Sequence, residues 1–212
     1  MGLNRANLRL YLVTDRALCA AMGVVDTVTA AVQGGVSFVQ LRDKTATTPE
    51  RIALAQALKD ALAGSGVPLV VNDDGVAAQA ADVDGAHIGQ GDMDPADVRA
   101  MLGPDKIVGL SCETKKAVRA GDPNIIDYLG IGTVFATDTK TDHEPAIGLD
   151  GLTQLCASTT LPTVAIGGLK ARHGRDVLAA GADGMAVVSA ICGQPDPRDA
   201  AATILQNMER KK

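Results

Sequence analysis

Apolar residues in this chain fall in short, dense runs and not in strict alternation. LRLYLVTD (8–15), SFVQLRD (37–43), PLVVND (68–73), GAHIG (85–89), KIVGLSC (106–112), YLGIGTVF (128–135), PTVAIGG (162–168) and GMAVVSA (184–190) each read as a strand. A strand apolar on both faces is covered on both faces, as in a parallel sheet flanked by helices. The stretches between them are rich in Ala and Leu. Thr48-Pro49, Asp94-Pro95 and Asp196-Pro197 each put a capping side chain before a proline suited to the first helical position. Gly34-Gly35, Gly64 and Gly121 fit helix ends, and the Ala-rich segments 53–63 and 77–82 read as packing faces.

Eight strand–helix units in 212 residues predict an α/β fold, a single-domain (β/α)8 TIM barrel over residues 1–212. A doubly wound open sheet is the alternative. No GxGxxG follows the first strand, however, and polar residues recur at one strand end after another. A barrel would gather those ends on one rim. One connection, about 136–147 (ATDTKTDHEPAI), exceeds the usual length of ~2–6 residues and marks a candidate functional loop.

Composition narrows the function. Hydrophobic residues make up 46% and charged residues 21%, as in a globular protein. The balance of 20 basic against 25 acidic residues, with no Trp, two Tyr and two Phe, argues against a nucleic-acid surface. No run approaches the roughly 20 apolar residues that span a bilayer. The start, MGLNRANLRLYLVTDR, lacks a signal-peptide core, so a cytoplasmic protein is expected. Cys19, Cys112, Cys156 and Cys192 have no metal-ligand spacing and read as free thiols. Homo-oligomerisation is left open.

The strand ends carry the candidate chemistry. Gln40-Leu41-Arg42-Asp43-Lys44 closes the second strand, and alternation puts Gln40, Arg42 and Lys44 on one face. Arg and Lys together suit a phosphate or pyrophosphate. The plainer reading is a solvated strand end with an ion pair to Asp15 or Asp43. Asn72-Asp73-Asp74 and Gly89-Gln90-Gly91-Asp92 follow the third and fourth strands. Two carboxylates on adjacent strands can bracket a hard cation such as Mg2+. For Asp73 helix capping weighs equally, whereas Asp92 precedes the better cap, Asp94, and favours the metal. Ser111 closes the fifth strand, and Thr137-Asp138-Thr139-Lys140 suits an anion, or is a solvated loop. Gly167-Gly168 and Val188-Ser189 follow the last two strands, where such barrels often hold a phosphate on backbone N–H groups. His87 falls inside a strand and reads as a wall histidine more than a ligand; His143 and His173 receive no role. One basic, metal-assisted anion site and one neutral site fit two phosphorylated substrates joined with loss of pyrophosphate.

YLVTDR, VQLRDK, VNDD, DGAHIGQGDM, VGLS, DYLGIG, TDTK, AIGG and GADGMAVVSAI, in this order and spacing, resemble thiamine phosphate synthases over about residues 8–205. The resemblance implies a (β/α)8 barrel enzyme that joins a hydroxymethylpyrimidine diphosphate to a thiazole phosphate, with magnesium. It further implies pyrimidine-diphosphate contacts at Gln40, Leu41, Arg42, Asp43, Lys44, Asn72, Ser111 and Lys140. It implies magnesium ligands at Asp73 and Asp92, and thiazole-phosphate contacts at Thr137, Asp138, Thr139, Gly168, Val188 and Ser189. Arg42, Lys44, Ser111 and Lys140 are the expected catalytic set, acting in a dissociative reaction. The chain departs from the family in GTVFAT, where prolines are usual, in Glu113, and in LKARHGRD, which lacks the usual asparagine. A silent thiazole-phosphate binder and a thiazole tautomerase are the alternatives, and neither requires the basic set with both aspartates.

Overall fold

The computed structural model describes residues 3–137 and 145–209. Among them, eight parallel strands close a barrel in sequence order: β1 (Leu10–Val13), β2 (Phe38–Leu41), β3 (Leu69–Asn72), β4 (Gly85–Ile88), β5 (Ile107–Cys112), β6 (Tyr128–Ile131), β7 (Thr163–Ala165) and β8 (Gly184–Val187). Pairing of Leu10 with Met185 and Leu12 with Val187 closes the ring. The helices α1 (Val24–Gln33), α2 (Thr48–Ala61), α3 (Gly75–Ala81), α4 (Pro95–Leu102), α5 (Lys115–Ala120), α6 (Gly148–Cys156), α7 (Gly174–Ala179) and α8 (Pro197–Glu209) follow the strands one by one. The open-sheet alternative is thereby excluded.

The strands are shorter than the apolar runs suggest. The sixth run reaches residue 135, but β6 stops at Ile131. Beyond it the Val134 and Phe135 N–H groups donate to the Ile166 and Gly167 carbonyls at 2.9 and 3.0 Å. The chain therefore tracks the end of β7 as a loop. One cap also moves: Thr47, not Thr48, caps α2, exchanging hydrogen bonds with Glu50 in a capping box. Thr48 is the first helical residue, and its hydroxyl donates to Asp74 at 2.9 Å. Asp94 and Asp196 cap α4 and α8 as the sequence suggests.

Two apolar layers result. Leu12, Leu41, Val71, Ile88, Leu129 and Ile131 face the helices, whereas Leu8, Tyr11, Phe38, Val70, Ile107, Tyr128 and Val164 fill the barrel. Three of the four aromatic residues are thus inside it, with Tyr11 and Phe38 ring centres 4.5 Å apart. Glycine makes this filling possible. A Cβ on Gly109 would lie 2.2 Å from the Tyr128 ring, so only glycine fits opposite that tyrosine.

The floor of the barrel is tied and plugged. Ser37, Asp84, Asp127 and Asp183 each immediately precede an even-numbered strand. Their side chains accept the N–H of Leu10, Leu69, Val108 and Thr163 at 2.7–3.0 Å, at the starts of the odd-numbered strands. A short 3-10 turn, Arg5–Leu8, lies beneath, with Leu8 fully buried and Arg5 donating to Asp183 and to the Thr160 carbonyl.

Candidate active site

The opposite rim collects the polar strand ends. At the end of β2 alternation separates the side chains. Gln40 turns inward and is 4% exposed, and Arg42 follows it on the same side. Thr14, the residue after β1, fixes the Arg42 backbone by accepting its N–H at 2.9 Å and donating to its carbonyl at 3.1 Å. The Arg42 guanidinium reaches Asp15 at 3.8 Å, so the ion pair of the plainer reading exists. It does not use up the group: Nη2 is buried without a partner among the described residues. An orphaned buried guanidinium nitrogen is costly unless an anion completes it.

Leu41 and Asp43, also expected as substrate contacts, have their side chains engaged away from the rim. They occupy the other phase of the same strand. The Leu41 side chain is fully buried against the helices. Asp43 accepts from Arg16, from the Thr45 N–H and hydroxyl, and from the Ala46 N–H. Burial opposes its charge, but these donors hold its carboxyl below the usual range. Lys44 is exposed at the loop entrance.

Next to Arg42 stand the two carboxylates. Asp73 follows β3 with φ 62°, a left-handed conformation that aspartate tolerates better than most residues. Its N–H donates to the His87 carbonyl at 2.8 Å, extending the β3–β4 pairing. The cap of α3 is Asp74, which accepts from Ala77 N–H at 2.8 Å and from Thr48 and Arg51. That frees Asp73 for the rim. Asp92 closes a tight turn by accepting the Gly89 N–H at 2.7 Å, and its carboxylate neighbours that of Asp73. Loss of solvation, then the neighbouring Asp92 carboxylate, push Asp73 up to about 6; Arg42 and Asn72 pull the other way. Asp73 as a residue is exposed, so the contact with Asp92 is the firmer cause. Among the described residues no cluster of three or more His, Cys, Asp and Glu side chains could hold a metal. Two carboxylates fit a hard cation that keeps its other ligands from water and phosphate.

A polar chain crosses the barrel beneath this rim. Gln40 Nε2 donates to the Tyr11 hydroxyl at 3.0 Å, and Tyr11 meets the Tyr128 hydroxyl at 2.7 Å. Tyr128 meets His87 Nδ1 at 2.8 Å, and His87 Nε2 meets Ser111 Oγ at 2.9 Å. Gly130 leaves room for the imidazole, since a Cβ there would stand 3.1 Å from it. His87 is thus a wall histidine, as expected, but one wired to a site residue. A narrow cavity borders Tyr11, Gln40, His87, Gly130 and Ile166.

The far side of the rim is formed after β7 and β8. Gly167 and Gly168 have φ 103° and 62°. A Cβ on Gly167 would meet Thr133 at 2.5 Å, and one on Gly168 would meet the Phe135 and Ala136 carbonyls at 2.7 Å. The pair therefore also seats the loop after β6. Val188 packs on the inner core, and the Ser189 hydroxyl accepts from Lys170 Nζ at 3.1 Å. Thr137 is half-buried, whereas Asp138, Thr139 and Lys140 lie outside the described residues. The four cysteines are free thiols, three of them buried; burial pushes Cys112 up to about 12, unsuited to a nucleophile.

Sequence reasoning missed Tyr11, Tyr128, Thr14 and Lys170. A signal existed for the first two: the only tyrosines in the chain sit in strands, at the phase that alternates inward.

The family model for thiamine monophosphate synthase matches residues 10–191. The chain belongs to the thiamine monophosphate synthase family. It is 49% identical over 201 residues to a thiamine-phosphate synthase of Psychrobacter sp., covering 93% of this chain and 94% of that one. It is 51% identical over 198 residues to one of Xanthobacter autotrophicus, at 93% and 94% coverage. The solved thiamine phosphate pyrophosphorylase of Pyrococcus furiosus superposes with a TM-score of 0.87 at 34% identity, covering 97% of each chain. As a member of this family the chain is a transferase of thiamine biosynthesis that forms thiamine phosphate. No helix among the described residues is long and apolar enough to cross a membrane.

Proposed function

We propose that this rim joins hydroxymethylpyrimidine diphosphate to thiazole phosphate by a dissociative route. The bond between the pyrimidine methylene and the diphosphate oxygen breaks first, and its electron pair leaves with pyrophosphate. The aminopyrimidine ring stabilises the methylene cation. The thiazole nitrogen then supplies the pair for the new carbon–nitrogen bond.

The observation that carries this reading is the partnerless, buried Nη2 of Arg42 beside the Asp73–Asp92 pair. A cationic donor that must be completed by an anion is well suited to a leaving pyrophosphate, whose charge grows as the bond breaks. Lys44 and Lys140, the latter from the sequence that follows β6, would add charge to the same end. Asp73 and Asp92 would hold a magnesium ion, which when bound offsets diphosphate charge. Gln40, Asn72 and Ser111 would orient the pyrimidine. Gly168, Val188 and Ser189, with Thr137, Asp138 and Thr139, would take the thiazole phosphate, which does not change charge in the reaction. Small-molecule substrates are thus the partners. The expected cytoplasmic location belongs to this same proposal.

Single-turnover formation of thiamine phosphate tests it. Arg42→Ala should slow the chemical step by about 10²–10³-fold, as loss of one donor to developing charge does elsewhere. Asp92→Ala should abolish turnover at limiting magnesium with the fold intact. A trifluoromethyl pyrimidine should react far more slowly than the normal one, because it destabilises the cation. Equal rates for the two pyrimidines, with chemistry limiting, would reject the dissociative route. Full activity of Asp92→Ala at limiting magnesium would reject the metal assignment.

A further inference from the structure

The polar chain beneath the rim has a direction, and the direction can be counted. Tyr11 is 1% exposed and Tyr128 is fully buried, so each hydroxyl proton needs a partner inside the barrel. Tyr11 oxygen already accepts from Gln40 Nε2. Its own proton then goes to its other partner, the Tyr128 oxygen. Tyr128 in turn must give its proton to His87 Nδ1. A neutral imidazole that accepts at Nδ1 carries its proton on Nε2. His87 therefore donates to Ser111 Oγ, and the Ser111 proton is left to point into the mouth.

The reverse order is the real competitor. If Gln40 presented its carbonyl oxygen to Tyr11, every proton would shift the other way. Ser111 would then spend its proton on His87 and could only accept from a ligand. The two orders differ in a single observable, the nitrogen of His87 that carries hydrogen.

We propose that Gln40, Tyr11, Tyr128 and His87 form a one-way hydrogen-bond relay that holds Ser111 as a donor toward the pyrimidine substrate. Tyr11, Tyr128 and His87 are positioning residues, since they act through Ser111 and Gln40. The relay also links the ends of β2 and β5 across the barrel, so the two side chains that flank the ligand are set together. The glycines fit this role: Gly109 and Gly130 are the gaps into which Tyr128 and His87 lean. This inference rests on the reading that Ser111 faces the pyrimidine.

The test is the 15N spectrum of the full-length, histidine-labelled protein at neutral pH, with His87→Asn assigning the signal among three histidines. The expected ring has a bare Nδ1 and a protonated Nε2. Protonation at Nδ1 would overturn the relay direction outright. Tyr128→Phe keeps the buried ring and removes only the donor to Nδ1. It should mix the two tautomers and lower kcat about tenfold, leaving KM for thiazole phosphate unchanged. An unaltered tautomer with unaltered kcat would overturn the positioning role. Ser111→Ala separates the two layers. Full activity of Ser111→Ala would remove the underlying reading, whereas an impaired Ser111→Ala beside an unaffected Tyr128→Phe would remove the relay alone.

Discussion

Arg42 and Ser189 follow β2 and β8, with only β1 between them on the rim, and their surroundings differ. Arg42 is half-buried, held by Thr14 through its backbone, and has a buried nitrogen with no partner among the described residues. Ser189 is half-buried and already engaged by Lys170. Lys170 lies in LKARHGRD, the stretch in which the family's usual asparagine is not evident, and it puts a mobile positive charge beside Ser189. Lys170→Ala is expected to raise KM for thiazole phosphate several-fold, with kcat little changed and a weaker salt dependence of KM. Steady-state kinetics at two ionic strengths checks it. At this scale the sequence was partly legible. Gln40, Arg42, Asp73, Asp92 and Ser111 were readable because strand ends of a barrel converge by topology. Leu41 and Asp43 came from the family resemblance and not from alternation, which turns their side chains the other way. The relay was hidden because Tyr11, Tyr128 and His87 meet across the barrel from three different strands, a contact that periodicity along one strand cannot reveal.

Strands and helices were legible in number and order, since each apolar run marks a covered strand. Their ends were not: strand pairing stops where the barrel widens into loops, and apolar composition continues past that point in 132–135. The capping of α2 by Thr47 differs by one residue from the Thr48-Pro49 signal because Glu50 completes the box from three residues on. Asp74 ties two elements together near the site, joining the start of α3 to α2 through Thr48 and Arg51. Burial opposes its charge, but the Ala77 N–H, Thr48 and Arg51 together hold its carboxyl below the ordinary 3.8. A depressed carboxylate contributes stability above its unfolded value and loses it as pH falls through the folded one. Urea midpoints should therefore fall below about pH 4 in the wild type, and Asp74→Asn should flatten that part of the curve. At the floor, Asp127 accepts from Val108 N–H and from Arg99. Asp127→Ala should cost about 1–3 kcal/mol by denaturant unfolding while leaving kcat/KM near wild type, because the floor is remote from the rim.

The whole molecule is a barrel whose two ends are built for different purposes. One end carries the repeated carboxylate and hydroxyl ties and the Arg5–Leu8 plug. The other carries the convergent polar groups. Conservative packing at one end and exposed chemistry at the other is the division that lets this architecture host a reaction without loosening its core. The sequence displayed the chemical end through its motifs. The tied end was invisible as a device because Ser37, Asp84, Asp127 and Asp183 look like ordinary turn residues until the register brings each beside the start of the strand before it.

A plugged floor also sets the traffic. With Leu8 fully buried and Phe38, Tyr11 and Tyr128 packed in the same inner cluster, no molecule passes through the barrel. Both reactants and both products share a single doorway. In the proposed reading, a group that reaches toward Gln40 and Ser111 would have to enter and leave by that same rim.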